Sequence, residues 1–177
     1  MPSQTEQTAR IIVIMGVSGC GKSSVGAGLA EREGVPFLDA DDFHPVENVE
    51  KMRSGTPLND ADRWPWLDTF GKALRDSAAI EGKVFGACSA LKRSYRDALA
   101  KSADEPVLFL HLDGPKELIA ERMAARKDHY MPTGLLDSQI ATLEPLNDHE
   151  YAAKIDLSQS LEAIFEECSQ IIASRTL

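Results

Sequence analysis

The chain predicts an α/β fold in which five parallel strands form one sheet covered by helices on both faces. Three observations carry that expectation. Short apolar runs alternate along the chain with segments of helical periodicity. The first run, "RIIVIM" (residues 10–15), is continuous and rich in β-branched residues, as a strand buried on both faces must be. It leads directly into a glycine-rich loop, "GVSGCGKS", that opens a helix. At 177 residues the chain has the size of one domain. Connections between parallel strands should be right-handed crossovers.

The elements follow in order. Residues 23–33 read as the first helix, with Gly34 placed to end it. "VPFLDA" is a second short strand. Val46, Val49 and Met52 recur at helical spacing before Gly55 and Pro57 break the chain. Trp66, Phe70 and Leu74 line one side of a longer helix, entered through Asn59 and Asp60 or through Asp62 as caps. "KVFGACS" is the third strand. In it Gly86 stands where a bulky apolar residue is expected, which marks a close backbone approach. Residues 91–101 form a helix and "PVLFLHLD" the fourth strand. "GPKELIAERMAARK" is helical, with Pro115 in its first turn. "DHYMPTGLL", broken by Pro132 and Gly134, reads as a mobile loop, and a short helix follows through Leu143. "YAAKIDLS" is a weak fifth strand and "SLEAIFEECSQIIAS" an amphipathic closing helix. The polar start, "MPSQTEQTAR", lacks the apolar middle of a secretion signal and reads as a frayed leader.

Composition narrows the function. A chain 43% hydrophobic and 27% charged is an ordinary globular protein. It contains no apolar run of about 18 residues, so a membrane span is excluded. The net charge of −9 argues against a nucleic-acid groove, where backbone phosphates must be neutralised. A local basic cluster for a small anion is still compatible with that charge. The 3 cysteines, Cys20, Cys88 and Cys168, are too scattered for a disulfide framework or a metal site, which points to a reducing, cytoplasmic setting. Cys20 reads as a small filler inside the glycine loop, where oxidation would block nucleotide binding.

"GVSGCGKS" matches the phosphate-loop pattern G-x-x-x-x-G-K-[ST] at every fixed position, between a strand and a helix as the mechanism requires. Glycines let the backbone curl so that its N–H groups face phosphate oxygens, and the helix N-terminus adds positive potential. Gly16, Ser18, Gly19, Cys20, Gly21, Lys22, Ser23 and Ser24 are therefore the candidates for the triphosphate. Lys22 reaches the β and γ phosphates, and the Ser23 hydroxyl suits Mg²⁺. No Asn-Lys-x-Asp follows a strand, which weakens a GTPase-switch reading. Asp113 at the end of "VLFLHLD" is either a Mg²⁺-holding acid or a cap for the helix beginning at Pro115.

"LDADDFH" sets Asp39 and Asp41 at the end of the second strand, where open α/β sheets bind ligands. Two carboxylates there suit phosphoryl transfer. Asp41 is the candidate base, and with Ser23 the candidate metal residue. His44 is either a hydrogen-bonding partner for a polyol or an ordinary loop histidine.

Four blocks, "MGVSGCGKS", "FLDADDFHPVENVEKMRSGTPLNDADRWPWL", "CSALKRSYRD" and "RKDHYMPTGLLDSQIATLE", together resemble gluconokinases of the small P-loop type, relatives of shikimate and adenylate kinases. The resemblance runs from Ile11 to about Ala163. It implies transfer of the γ-phosphoryl of ATP to the 6-hydroxyl of D-gluconate, with Mg²⁺, by a P-loop kinase fold with a substrate-binding insertion near 43–80 and a lid near 126–140. It also implies a homodimer. A sugar acid needs cations for its carboxylate and polar groups for its hydroxyls. Arg53, Arg63, Lys92, Arg96 and His129 are the candidates beside Asp39, Asp41 and His44. Lys92 and Arg96 sit four apart, on one face of the helix after "CSA". Trp66 either walls that pocket or belongs to the core. Arg126 is the candidate clamp on the transferring phosphoryl, Arg122 a lid residue that stacks near adenine, and Ser158 and Gln159 the adenine contacts. A shikimate-like kinase and a non-catalytic ATP-binding module are the competing readings.

Overall fold

A computed structural model of the chain describes residues 7–125 and 133–177. Strands β1 (Ile11–Met15), β2 (Phe37–Asp39), β3 (Val84–Ala87), β4 (Val107–Asp113) and β5 (Ala152–Asp156) form one parallel sheet in the order β2-β3-β1-β4-β5. Seven helices accompany them among the described residues: α1 (Lys22–Glu33), α2 (Val46–Arg53), α3 (Asp60–Glu81), α4 (Arg93–Ala103), α5 (Lys116–Ala124), α6 (Thr133–Thr142) and α7 (Leu161–Ser174). A 3-10 turn, Ala40–Phe43, follows β2 directly.

β1 lies at the centre, Ile11 pairing with Val84 on one side and Val107 on the other. Its side chains alternate between two cores because strand residues point to opposite faces in turn. Ile12 and Ile14 join Leu29 of α1, Ile119 of α5 and Phe165 of α7. Ile11, Val13 and Met15 join Phe70 and Leu74 of α3 and Tyr95 and Leu99 of α4. All five β1 side chains are fully buried, each worth roughly 1.5–3 kcal/mol of transfer free energy. That demand explains the continuous apolar run in the sequence.

Local chemistry sets the boundaries. The cap of α3 is Asn59, not Asp62: the Asn59 side chain accepts from the Asp62 N–H at 2.9 Å, and the Asp62 carboxylate accepts from the Asn59 N–H at 2.9 Å. α4 begins at Arg93, so Lys92 is its cap residue rather than part of the helix. Asp113 does not cap α5, which starts after Pro115 without a side-chain cap; its carboxylate lies 3.7 Å from Lys154 of β5. Gly86 is crowded by side chains more than by a backbone. A Cβ there would stand 3.0 Å from Leu74 Cδ2 and 3.1 Å from Phe70 Cζ. The described part of the polar leader is not frayed. Thr8 bridges Thr176, the Leu177 N–H donates to the Gln7 carbonyl at 2.9 Å, and Ala9 is buried. Among the described residues no helix is long and apolar enough to cross a membrane.

Candidate active site

The phosphate loop joins β1 to α1 at the carboxyl end of the sheet. Gly21 caps α1 at φ 96, a left-handed conformation that a side chain would strain. Gly19, at φ 83, lies against α5, where a Cβ would stand 2.2 Å from Met123 Cγ. Cys20 is buried beneath the loop, its sulfur next to Gly16, which fits the filler reading. Lys22 Nζ donates to the Val17 carbonyl at 3.1 Å, so its ammonium already folds back over the loop.

The neighbouring strand ends bring acids to this loop. Asp39 uses both carboxylate oxygens: Oδ2 accepts from Ser23 Oγ at 2.6 Å, and Oδ1 accepts from the Asp41 N–H at 3.0 Å. The acid beside Ser23 is thus Asp39, where sequence reasoning chose Asp41 for the metal. Two hard oxygens next to a phosphate cradle are of the kind that suits Mg²⁺. The Asp41 side chain is 86% exposed at the mouth of the site, with His44 Nε2 at 3.9 Å. His44 is no loose loop residue. Its ring stacks on Trp66 at 4.1 Å between centroids, and burial first, then nearby Arg63, push its pKa below the ordinary histidine value. Trp66 belongs to the core: it is buried, and its indole N–H donates to the Ala40 carbonyl at 2.7 Å.

Arg63, which acts on His44, belongs to a charged cluster that the sequence showed only in part. Arg63 donates to Tyr95 Oη at 2.6 Å, Tyr95 Oη donates to Asp60 at 2.5 Å, and Lys92 Nζ donates to the same Asp60 oxygen at 3.3 Å. The Tyr95 hydroxyl and then Lys92 hold Asp60 below the usual carboxylate range, while Asp60 raises Lys92. Asp60 and Tyr95 were missed because helical periodicity marks Asp60 as a first-turn acid and Tyr95 as core. Arg53 is exposed and has no hydrogen bond or ion pair among the described residues.

Arg96 does not belong to this cluster. It is 1% exposed, and all five N–H groups are taken. Nε and one terminal nitrogen donate to Glu150 at 2.7 and 3.3 Å. The remaining donors reach the carbonyls of Ala90 at 2.9 Å, Leu91 at 3.2 Å and Glu144 at 3.2 Å. Ala90 has a left-handed backbone, φ 46, so the guanidinium braces the strained turn that presents Lys92. The four-residue spacing of Lys92 and Arg96 suggested a shared face, but α4 starts only after Lys92.

A cleft of about 190 Å³ opens beside the phosphate loop, lined by Cys20, Gly21, Ser24, Arg122 and Gln159. This brings Arg122 and Gln159 together beside the loop. Ser158 turns away, its hydroxyl donating to Asp156 at 2.6 Å. Arg126 and His129 lie outside the described residues.

A family model described as an AAA domain matches residues 11–146. The chain is 46% identical over 171 residues to a probable gluconokinase of Xenopus tropicalis, covering 89% of this chain and 90% of that protein. It is 44% identical over 158 residues to a gluconokinase of Gluconobacter oxydans, covering 89% and 88%. Among solved structures it superposes on a gluconokinase from Sinorhizobium meliloti with a TM-score of 0.81 and 46% identity, covering 92% of this chain and 90% of that one.

Proposed function

The chain belongs to the gluconokinase family, and from that premise we propose how its site moves the γ-phosphoryl of ATP to the 6-hydroxyl of D-gluconate. The activity is ATP-dependent phosphorylation of gluconate, on a parallel-sheet kinase fold. One observation carries the residue assignment: Ser23 of the phosphate loop is joined through Asp39 to Asp41 by two hydrogen bonds. With both oxygens engaged, Asp39 is the acid of the metal side. Asp41, whose exposed side chain lies 3.9 Å from His44 Nε2, is assigned to the acceptor.

The loop N–H groups and the α1 N-terminus receive the phosphates, and Lys22 exchanges the Val17 carbonyl for their oxygens. Ser23 and Asp39 would hold Mg²⁺, which when bound would supply neutralisation of phosphate charge. Arg63 and Lys92 take the gluconate carboxylate, and His44 and Arg53 face its hydroxyls. Asp41 accepts the proton of the 6-hydroxyl as its oxygen bonds to the γ-phosphorus. The bond from that phosphorus to the bridging oxygen breaks, and ADP leaves with the electron pair. Arg126 is assigned to the transferring phosphoryl and His129 to the acceptor by resemblance. Arg122 and Gln159 suit the adenine. Free cysteines and the absence of a spanning helix among the described residues support a cytoplasmic setting, and light scattering would measure the implied homodimer.

ADP release with Mg-ATP against D-gluconate, shikimate, glucuronate, AMP and no acceptor tests the reading. Release should depend on gluconate, and Asp41→Asn should lower kcat by roughly 10²–10⁴ with affinity for an ATP analogue retained. An Asp41→Asn variant with near-native kcat would remove Asp41 as the base. Release with shikimate alone would replace gluconate as the acceptor.

A further inference from the structure

The segment after the undescribed residues touches both halves of the site. α6 is docked through Leu136, which is 1% exposed, with Ile140 and Leu143 packed against the same core. These residues recur at helical spacing, so they fix which way the rest of the helix faces. Gln139, on the adjoining face, reaches the phosphate loop. Its Oε1 accepts from the Ser18 N–H at 2.6 Å, and its Nε2 donates to Ser18 Oγ at 2.9 Å. One side chain thus holds both the N–H and the hydroxyl of a loop residue 121 positions away. Lys116 of α5 pairs with Asp137, adding a further tie along the same helix.

The other end of this segment grips the acceptor side. The Glu144 N–H donates to the Leu91 carbonyl at 2.8 Å, the Glu144 carboxylate accepts from the Arg93 N–H at 3.1 Å, and the Glu144 carbonyl accepts from Arg96 at 3.2 Å. Lys92 therefore lies between two residues whose backbones are pinned to Glu144. The phosphate loop also meets this turn directly, the Gly16 N–H donating to the Ser89 carbonyl at 3.2 Å, so residues 136–144 add a second tie that reaches Ser18 at one end and Leu91 and Arg93 at the other.

We propose that residues 136–144 form a strut coupling the nucleotide loop to the acceptor turn, with Gln139 as a positioning residue that transmits the state of each ligand site to the other through Ser18. A rigid element with hydrogen bonds at both ends shifts one site when the other is displaced. Sub-ångström placement matters here because in-line transfer needs donor and acceptor aligned, and an error of about 1 Å costs on the order of 100-fold in rate. The acceptor half of the proposal rests on the reading that Lys92 binds gluconate.

The test measures the affinity of a non-hydrolysable ATP analogue with and without saturating gluconate in the native enzyme, Gln139→Met and Gln139→Ala. Met preserves helix propensity and volume but offers neither hydrogen bond. Gluconate should tighten nucleotide binding by roughly 5-fold or more in the native enzyme. In both variants that ratio should fall toward one while the melting temperature holds and kcat drops by roughly 10- to 100-fold. Native enzyme without coupling, or variants with undiminished coupling, would overturn the proposal. So would a fall in activity that merely tracks loss of folded protein. Lys92→Met separates the underlying reading: unchanged gluconate affinity there removes Lys92 from the acceptor site while the Gln139 result still reports on coupling.

Discussion

Replacing Arg96 by Met distinguishes a structural brace from a substrate ligand. In the native protein the guanidinium is 1% exposed and Glu150 is 7% exposed. Met keeps much of the apolar stem but removes both Arg96 bonds to Glu150, leaving that carboxylate the Asn147 N–H and Arg93, and takes the guanidinium donor from the Ala90 and Glu144 carbonyls, while Leu91 keeps the Glu144 N–H. Removing one partner of a buried, hydrogen-bonded ion pair costs about 3–5 kcal/mol. Against a total stability of about 5–15 kcal/mol, this is a large fraction. For a chain of this size each kcal/mol moves the melting temperature by roughly 2–4 °C, so a fall of about 6–20 °C is expected. Arg96→Met combined with Glu150→Gln should recover part of the loss, because the stranded charge is then gone, and a double-mutant cycle measures how much. A pH signature accompanies it. Burial raises the Glu150 carboxyl, but Arg96, the Asn147 N–H and Arg93 together outweigh burial and hold it below its ordinary value. Its contribution is thus complete above about pH 4.3 and is lost as pH falls through the lower folded value. Arg96→Met should lose that slope. The assays are thermal unfolding from pH 7 to 3 and gluconate KM at 25 °C. A variant with a native melting temperature and a gluconate KM raised tenfold or more would refute the brace and return Arg96 to the acceptor site.

Gly28→Ala should destabilise by about 1–3 kcal/mol in urea unfolding, because its Cβ would stand 2.4 Å from Phe165 Cζ. Burial and then Arg63 lower the His44 pKa. Its contribution is intact above about pH 6.5 and fades as pH falls toward the lower folded value, so His44→Gln should flatten the melting-temperature profile below about pH 6.5. Chelating divalent cations should abolish turnover, and Ser23→Ala should raise the Mg²⁺ concentration needed for half-maximal rate, measured by ADP release. Asn59→Ala removes half of the α3 capping box and should cost about 1 kcal/mol in thermal unfolding.

The sequence alone determined the sheet, the phosphate loop and the pair of acids after β2. Those features are local: an unbroken apolar run is legible because burial on both faces demands it, and a glycine loop is legible because only that spacing curls around phosphate. Asp41 and Asp39 were found by their place at a strand end, but the contact that distinguishes them was not. It joins Ser23 to Asp39 at 2.6 Å, across a gap of 16 residues. The Asp60–Tyr95 pair, the Gln139–Ser18 clamp and the enclosure of Arg96 by Glu150 join residues 35, 121 and 54 positions apart. Spacing along a helix predicts which side chains share a face, not whether that face meets solvent, a ligand or a buried carboxylate. Only tertiary packing decided that, because a guanidinium becomes a brace or a binding group according to which of its five donors the folded chain has already engaged.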